Sequence, residues 1–385
     1  MRFSFFSPVK IVFGQNQAEN LPRLVKSMGK KCFVVTGEDQ SRFSFLFSGM
    51  QKAGITWETF AQKGEPSIDQ VTGAAEKARQ ANVDVVLAIG GGSVLDAAKA
   101  VAALVTNRDD IMEYLEVIGR GNPLVQRPAP LIAVPTTSGT GAEVTCNAVL
   151  ASPEHGVKVS MRSEMMYPDV ALVDPCLARF MPGDVTAFTG MDALTQLIEA
   201  FVSRFSNPYT DALCREGMAR SARSLRRALS NGQDLDARED LSMAALFSGI
   251  ALANAKLGAV HGIAGPMGGM ISAPHGLICA VLLAPVMAEN VRQLEQSGFP
   301  DSSTLAKFGE VAAILTGNSQ AGVEQGCGWI RELVVEMDLP SLSRFGLDRA
   351  VCRAVSHKAL QASSMKGNPV DLDEKAMAAL LEAVS

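Results

Sequence analysis

A chain of 385 residues with 47% hydrophobic and 19% charged residues is long enough to bury a sizeable core in about two domains, and too apolar to be largely disordered. Its formal net charge of −5 leaves no basic excess to neutralise phosphates, which argues against nucleic-acid binding. Seven scattered cysteines, Cys32, Cys146, Cys176, Cys214, Cys279, Cys327 and Cys352, form no C-x-x-C pair. They read as reduced, mostly buried thiols of a cytoplasmic protein.

The N-terminal stretch Met1–Gly14 has an apolar run of only three or four residues, against the roughly 7–15 of a secretory signal. No run approaches the about 20 apolar residues of a membrane span. The Gly- and Ala-rich stretch Leu252–Met287 is broken by Lys256, His261, Pro266, Pro274 and His275 and reads as buried helix.

In chain order, short β-branched runs alternate with amphipathic segments. Strands are predicted at Lys31–Thr36, Val83–Ile89, Leu131–Val134 and Val170–Val173, with helices at Ser67–Gln80 and Ser93–Leu104. That alternation argues for a parallel sheet covered by helices on both faces. After Pro182 helical patterns take over: Val185–Phe205, Tyr209–Ala228, Leu235–Ala255, Thr304–Leu315, Gln320–Met337, Asp348–Ala362 and Asp373–Ala383. The expected architecture is a Rossmann-like α/β dinucleotide-binding domain over 1–180, then an all-α domain over 181–385 carrying the metal and substrate site.

Two loops of the first half suit a dinucleotide. In Ile89-Gly90-Gly91-Gly92-Ser93, an apolar strand runs into three glycines and a helix start. Without Cβ atoms the backbone amides approach a phosphate closely, and the helix N-terminus adds a positive dipole end. The bland alternative is a glycine turn capped by Ser93. The second loop, Pro135-Thr136-Thr137-Ser138-Gly139-Thr140-Gly141-Ala142-Glu143-Val144-Thr145, gathers hydroxyls after another strand. Ligands of doubly wound sheets bind at that carboxyl edge, where hydroxyls can hold phosphate, ribose or the nicotinamide amide.

The second half supplies candidate metal ligands. Of the four histidines, His155 reads as a turn residue and His357 as a helix-surface residue. His261 and His275 lie fourteen residues apart in one glycine-rich segment and must converge through a turn near Pro266–Gly269 or Pro274. Upstream, Asp192 and Gln196 share one helix face. A carboxylate and two imidazoles from different helices suit Zn²⁺ or Fe²⁺, and an open position would let the metal polarise a carbonyl. The alternative for Asp192 is a helix-start cap.

The order GGGS-x-x-D-x-x-K, PTT-x-GTG-x-E-x-T, G-x-DAL-T-x-x-IEA and a two-histidine segment ending PHG resembles the iron-containing (group III) alcohol dehydrogenase family, from Phe13 to Pro369. The resemblance implies an active site between the two domains and hydride transfer between NAD or NADP and a small alcohol or aldehyde. It implies that Gly91, Gly92, Ser93 and Asp96 hold the pyrophosphate, and that Thr136, Thr137, Thr140, Thr145 and Lys158 line the cofactor. Leu177 would be an apolar wall. It further implies a metal, Fe²⁺ or Zn²⁺, on Asp192, His261 and His275, which also carry the catalysis, with Gln196 at a fourth ligand position where many members have His. A homodimer is implied too, with Phe3–Phe6 as a possible intersubunit strand; no membrane or nucleic-acid partner is expected.

Three departures follow. Gln196 is a weak, neutral donor. Gly265 stands where some members carry a proton-relay His, leaving water, the ribose hydroxyls or, if it is not a ligand, His275. Gly37 stands where NAD-selective members carry an acid; Ser41 and Arg42 favour a 2′-phosphate, whereas Glu38 and Asp39 oppose it. NAD against NADP thus stays open. The weakened ligand set keeps two alternatives: a metal-independent reductase of the related maleylacetate branch, with Lys366 toward an anionic substrate, and a nucleotide-binding protein without turnover.

Overall fold

The computed structural model describes residues 2–296 and 302–384. Eight strands and four helices build the first half: β1 (Lys10–Phe13), α1 (Leu21–Met28), β2 (Lys31–Thr36), α2 (Ser44–Lys52), β3 (Thr56–Ala61), α3 (Ile68–Gln80), β4 (Val85–Gly90), α4 (Gly92–Thr106), β5 (Leu131–Pro135), β6 (Asn147–Ser152), β7 (Val157–Arg162) and β8 (Val170–Val173). Six strands form one parallel sheet in the order β1-β8-β5-β4-β2-β3, and β6 and β7 pair as an antiparallel hairpin.

The side-chain alternation of these strands makes the sheet two-faced. Phe33, Val35, Val86 and Ala88 join one apolar cluster with α3 and α4, while Cys32, Val34, Val85, Leu87 and Ile89 join another with α1 and α2. A parallel sheet buried on both faces needs such continuous apolar strands. The edge strand β3, TWETFA, has largely exposed or half-buried side chains and carries no such run.

The second half is helical: α5 (Gly183–Val202), α6 (Pro208–Ser230), α7 (Leu235–Ala255), α8 (Ala259–Gly268), α9 (His275–Gln296), α10 (Ser302–Thr316), α11 (Val323–Glu336), α12 (Arg349–Leu360) and α13 (Glu374–Glu382). Contacts divide the chain into two compact units. One holds Ser7–Thr137 and Gly141–Phe180; the other holds Met181–Ser385 with Met1–Phe6 and Ser138–Thr140. The helical unit has its own core, in which Met191, Leu194, Leu197, Ile198 and Phe201 of α5 pack with the other helices. α9 is long and apolar enough to cross a bilayer by length and composition, yet 61% of its most apolar window is buried, as befits a core helix.

Candidate functional site: a carboxylate, two imidazoles and a thiol

α5 is buried nearly all round, so its polar residues face protein rather than water. Asp192, Gln196 and Glu199 stand one turn apart on it. A buried carboxylate is tolerated only when paired or hydrogen-bonded. Both carboxylates are, and both through His261.

The amides at the start of α8 have no partner within their own helix. Asn368 Oδ1 accepts from the Ala259 amide at 3.1 Å, and Glu199 Oε1 accepts from the Val260 amide at 2.6 Å. The other oxygen of Glu199 lies 2.6 Å from His261 Nδ1. That fixes the ring and turns Nε2 toward Asp192 Oδ1, 3.2 Å away. Carboxylate–histidine pairs of this kind orient metal-ligating imidazoles.

The turn between α8 and α9 returns the chain so that His275 opens α9 with its ring 5.4 Å from that of His261, centroid to centroid. His275 Nε2 lies 3.8 Å from Asp192 Oδ1, and its side chain is 42% exposed. One turn into α9, the buried Cys279 places Sγ 3.7 Å from Asp192 Oδ1, 3.8 Å from His261 Nε2 and 3.7 Å from His275 Nε2. The four donor atoms all lie within 4.8 Å of one another.

Charge follows geometry. Burial works to raise the Asp192 carboxyl, but the His261 hydrogen bond and the His275 charge outweigh it and hold it below its ordinary 3.8. Burial also works to raise the Cys279 thiol, and the two imidazoles draw it below 9.0. The Cys279 charge in turn lifts His275 to about 9. Against burial, the charges of Cys279 and Glu199 raise His261 well above 6.5. Carboxylate and thiolate are the forms that bind a metal, whereas each protonated imidazole must release its proton to bind one.

Asp192, His261 and His275 thus converge as their residue types suggested. Gln196 is buried beside Asp192, but its Oε1 accepts from Ser248 Oγ at 2.9 Å. Glu199 and Cys279 were missed. Each stood at a readable position, Glu199 seven after Asp192 on α5 and Cys279 four after His275 on α9. By sequence Cys279 belongs with the reduced, mostly buried thiols, and it is buried. His155 sits at the β6–β7 turn bonded to Ser152, and His357 is exposed on α12. Lys366 is exposed, and Gly265 opens onto free space.

In the α/β unit the glycine turn lies where expected. Gly91 is the N-cap of α4 and no side chain caps it; Ser93 lies inside the first turn. A Cβ on Gly91 would sit 3.4 Å from Thr137, so the glycine turn and the threonine loop are neighbours. Asp96 accepts from the Val149 amide at 3.0 Å and pairs with the buried Lys99 at 2.8 Å. Lys99 also donates to Thr145 Oγ1 at 3.0 Å. Thr136 is buried, Thr140 is exposed, and Leu177 packs half-buried on the α1–α2 side of the sheet. Lys158, on the hairpin, lies 3.5 Å from Glu65. At the end of β2, a side chain on Gly37 would meet nothing within 4 Å. Ser41 Oγ is bonded to Asp39 at 2.5 Å, Arg42 lies over the Phe180 ring, and Glu38 pairs with Lys63.

Glu143 is buried in the threonine loop, and burial pushes its carboxyl from 4.5 up to about 7, with Lys99 pulling the other way. Below 4.5 it is protonated in both folded and unfolded chains, so it costs nothing there. As pH rises from 4.5 to about 7 the unfolded chain ionises while the folded one holds its proton, so stability falls across that window. The loss is on the order of 3 kcal/mol. Glu143→Gln is expected to flatten it, read as the urea midpoint of the full chain at about pH 4.5 and about pH 8.

Comparison with known proteins places the whole chain. The family model described as iron-containing alcohol dehydrogenase matches residues 8–175, and that of the Fe-containing alcohol dehydrogenase C-terminal region matches 186–385. The chain is 31% identical to 1,3-propanediol dehydrogenase of Citrobacter freundii over 389 residues, covering 98% of this chain and 97% of the relative. It is 31% identical to choline dehydrogenase of Bacillus subtilis (strain 168), over 86% of this chain and 81% of that one. A crystal structure of 1,3-propanediol oxidoreductase superposes with a TM-score of 0.91 at 30% identity, covering 100% of both chains. Sulfoacetaldehyde reductase from Bifidobacterium kashiwanohense, in complex with NAD⁺, superposes with a TM-score of 0.87 at 26% identity over 100% of this chain and 99% of the other. The chain belongs to the iron-containing alcohol dehydrogenase family and is an NAD(P)-dependent oxidoreductase of alcohols and aldehydes.

Proposed function

We propose that Asp192, His261 and His275 hold a divalent metal, Fe²⁺ or Zn²⁺, against the oxygen of a small alcohol or aldehyde. The observation that carries this is the convergence of their donor atoms within 4.8 Å from three separate helices. A divalent metal held there supplies Lewis acidity to a carbonyl or alcohol oxygen. The chain's own part is to present one ionised carboxylate and two oriented imidazoles, one of them fixed by Glu199. Gly265 contributes no side chain, so the proton exchanged in the reaction travels through water or the ribose hydroxyls.

On the cofactor side, Gly91, Gly92 and Ser93 offer uncapped helix-start amides to the pyrophosphate. Thr136, Thr137 and Thr140 supply hydroxyls, and Lys158 and Leu177 flank the cofactor. Asp96 and Thr145 act through Lys99 by holding the loop's shape. Gly37 leaves room for a 2′-phosphate, while Asp39, held below its ordinary value chiefly by the Ser41 hydrogen bond, keeps an anion nearby. A single exposed charge is largely screened by water and salt, so both cofactor forms are accepted.

The chain pairs with a second copy. The support is a row of aromatic residues on its surface: Phe5 stacks on the exposed Tyr209, Phe3 and Phe6 stay about half exposed, and the Phe6 backbone is clamped by Asn254. Seven free cysteines support a reducing, cytoplasmic setting.

The test is metal analysis of gently purified protein with NADH and NADPH oxidation over short aldehydes. Chelation is expected to lower turnover at least about 100-fold, and Zn²⁺ or Fe²⁺ to restore it. A metal-free protein of full activity would overturn the metal reading and favour the metal-independent branch.

A further inference from the structure

We infer that Cys279 is the fourth protein ligand of the metal site, as a thiolate, and that Gln196 stands outside it. This rests on the metal reading above and sharpens it: the donor set becomes one carboxylate, two imidazoles and one thiolate, a set matched to zinc, with the substrate oxygen entering as a fifth neighbour.

The geometry carries the inference. A tetrahedral site with bonds of about 2.0–2.3 Å has donor-to-donor edges of about 3.3–3.8 Å. The distances from Asp192 Oδ1 are 3.2 Å to His261 Nε2, 3.8 Å to His275 Nε2 and 3.7 Å to Cys279 Sγ. Those from Cys279 Sγ are 3.8 Å to His261 and 3.7 Å to His275. The sixth edge, between the imidazoles, lies within 4.8 Å. A sulfur packed as an inert core thiol would face apolar carbon. This one faces three ligand atoms at the edges of one tetrahedron.

Gln196, by contrast, already shares its amide oxygen with a hydroxyl and brings no charge to an ion. Its Oε1 accepts from Ser248 Oγ, which also lies 3.4 Å from the Gly139 carbonyl and 2.8 Å from that of Ala245. An amide oxygen is also a poor competitor for a divalent ion beside a thiolate. Thiolate and imidazole donors together favour zinc, and zinc stands above ferrous iron for nitrogen and sulfur ligands generally.

The experiment uses the full chain, stripped with a chelator, loaded with zinc and dialysed. X-ray absorption at the zinc edge is expected to show one sulfur neighbour at about 2.3 Å among nitrogen and oxygen neighbours at about 2.0–2.2 Å. In Cys279→Ser the sulfur shell should vanish and zinc affinity fall at least about 100-fold, since losing even an outer partner costs 10–100-fold. Gln196→Leu should keep the sulfur shell and hold zinc within about twofold of the parent. Circular dichroism and NADH fluorescence verify that each variant is folded. One zinc per chain with only nitrogen and oxygen neighbours would overturn the inference while leaving the metal reading intact. So would a Gln196→Leu variant that loses zinc as Cys279→Ser is expected to. A parent chain that retains no zinc overturns both.

Discussion

His261→Ala is expected to lower kcat/KM for aldehyde reduction by at least about 10³-fold and to leave the purified protein without stoichiometric metal. The size follows from how many partners the imidazole serves. Its Nδ1 takes up one oxygen of Glu199 at 2.6 Å, and its Nε2 faces Asp192 and Cys279 at 3.2 and 3.8 Å. Alanine removes a donor atom and leaves two buried carboxylates without their shared partner. Breaking a buried charged set by deleting one member is costly because the remaining charge stays uncompensated. Glu199→Gln is the graded control. It keeps the shape and one hydrogen bond but removes the charge, so a loss of about 10–100-fold in metal affinity or activity is expected. Metal analysis and steady-state kinetics on the same samples decide the matter. Unchanged activity in His261→Ala would refute the metal reading.

Gly276→Ala is expected to be the most damaging single-methyl change near the site. A Cβ there would sit 1.9 Å from the Phe188 carbonyl oxygen and 2.5 Å from its carbon, both backbone atoms of α5. No rotamer can relieve a clash with backbone, so the start of α9 must move away from α5. Overpacking of this kind costs about 3 kcal/mol or more, which for a unit of this size lowers Tm by roughly 6–12 °C. The displacement also reaches the chemistry, because His275 and Cys279 ride on α9 while Asp192 rides on α5. A misplacement of about 1 Å can cost 10²-fold in rate. The expected result is therefore a coupled loss of Tm and turnover, with the activity loss persisting at temperatures where the variant is still folded. A variant with the parent Tm would contradict the close approach of the two helices.

How much of this could be read before folding differs by element. β2, β4, β5 and β8 are central or well-covered strands, and their unbroken apolar runs announce them. β3 lies at the sheet edge with polar residues facing water, and β6 and β7 pair with each other away from the sheet, so neither carries that pattern. The long helices α5, α6 and α7 were legible as helical patterns, and the stretch Leu252–Met287, read as buried helix, is divided among the end of α7, α8 and the start of α9.

The same division runs through the site. By itself the sequence determined the family and the glycine and threonine loops, and it singled out Asp192, His261 and His275, because residue type and spacing along one helix or loop are local properties. Asp192 was legible through its place four before Gln196, and the two histidines through their glycine-rich setting. Only the tertiary structure decided that Glu199 orients His261, that Ser248 takes the Gln196 oxygen, and that Cys279 turns its sulfur toward Asp192, His261 and His275. Those facts depend on which lone pair of which atom meets which neighbour across α5, α7, α8 and α9. Such meetings are made by helix packing between residues tens of positions apart, and no spacing along the chain records them.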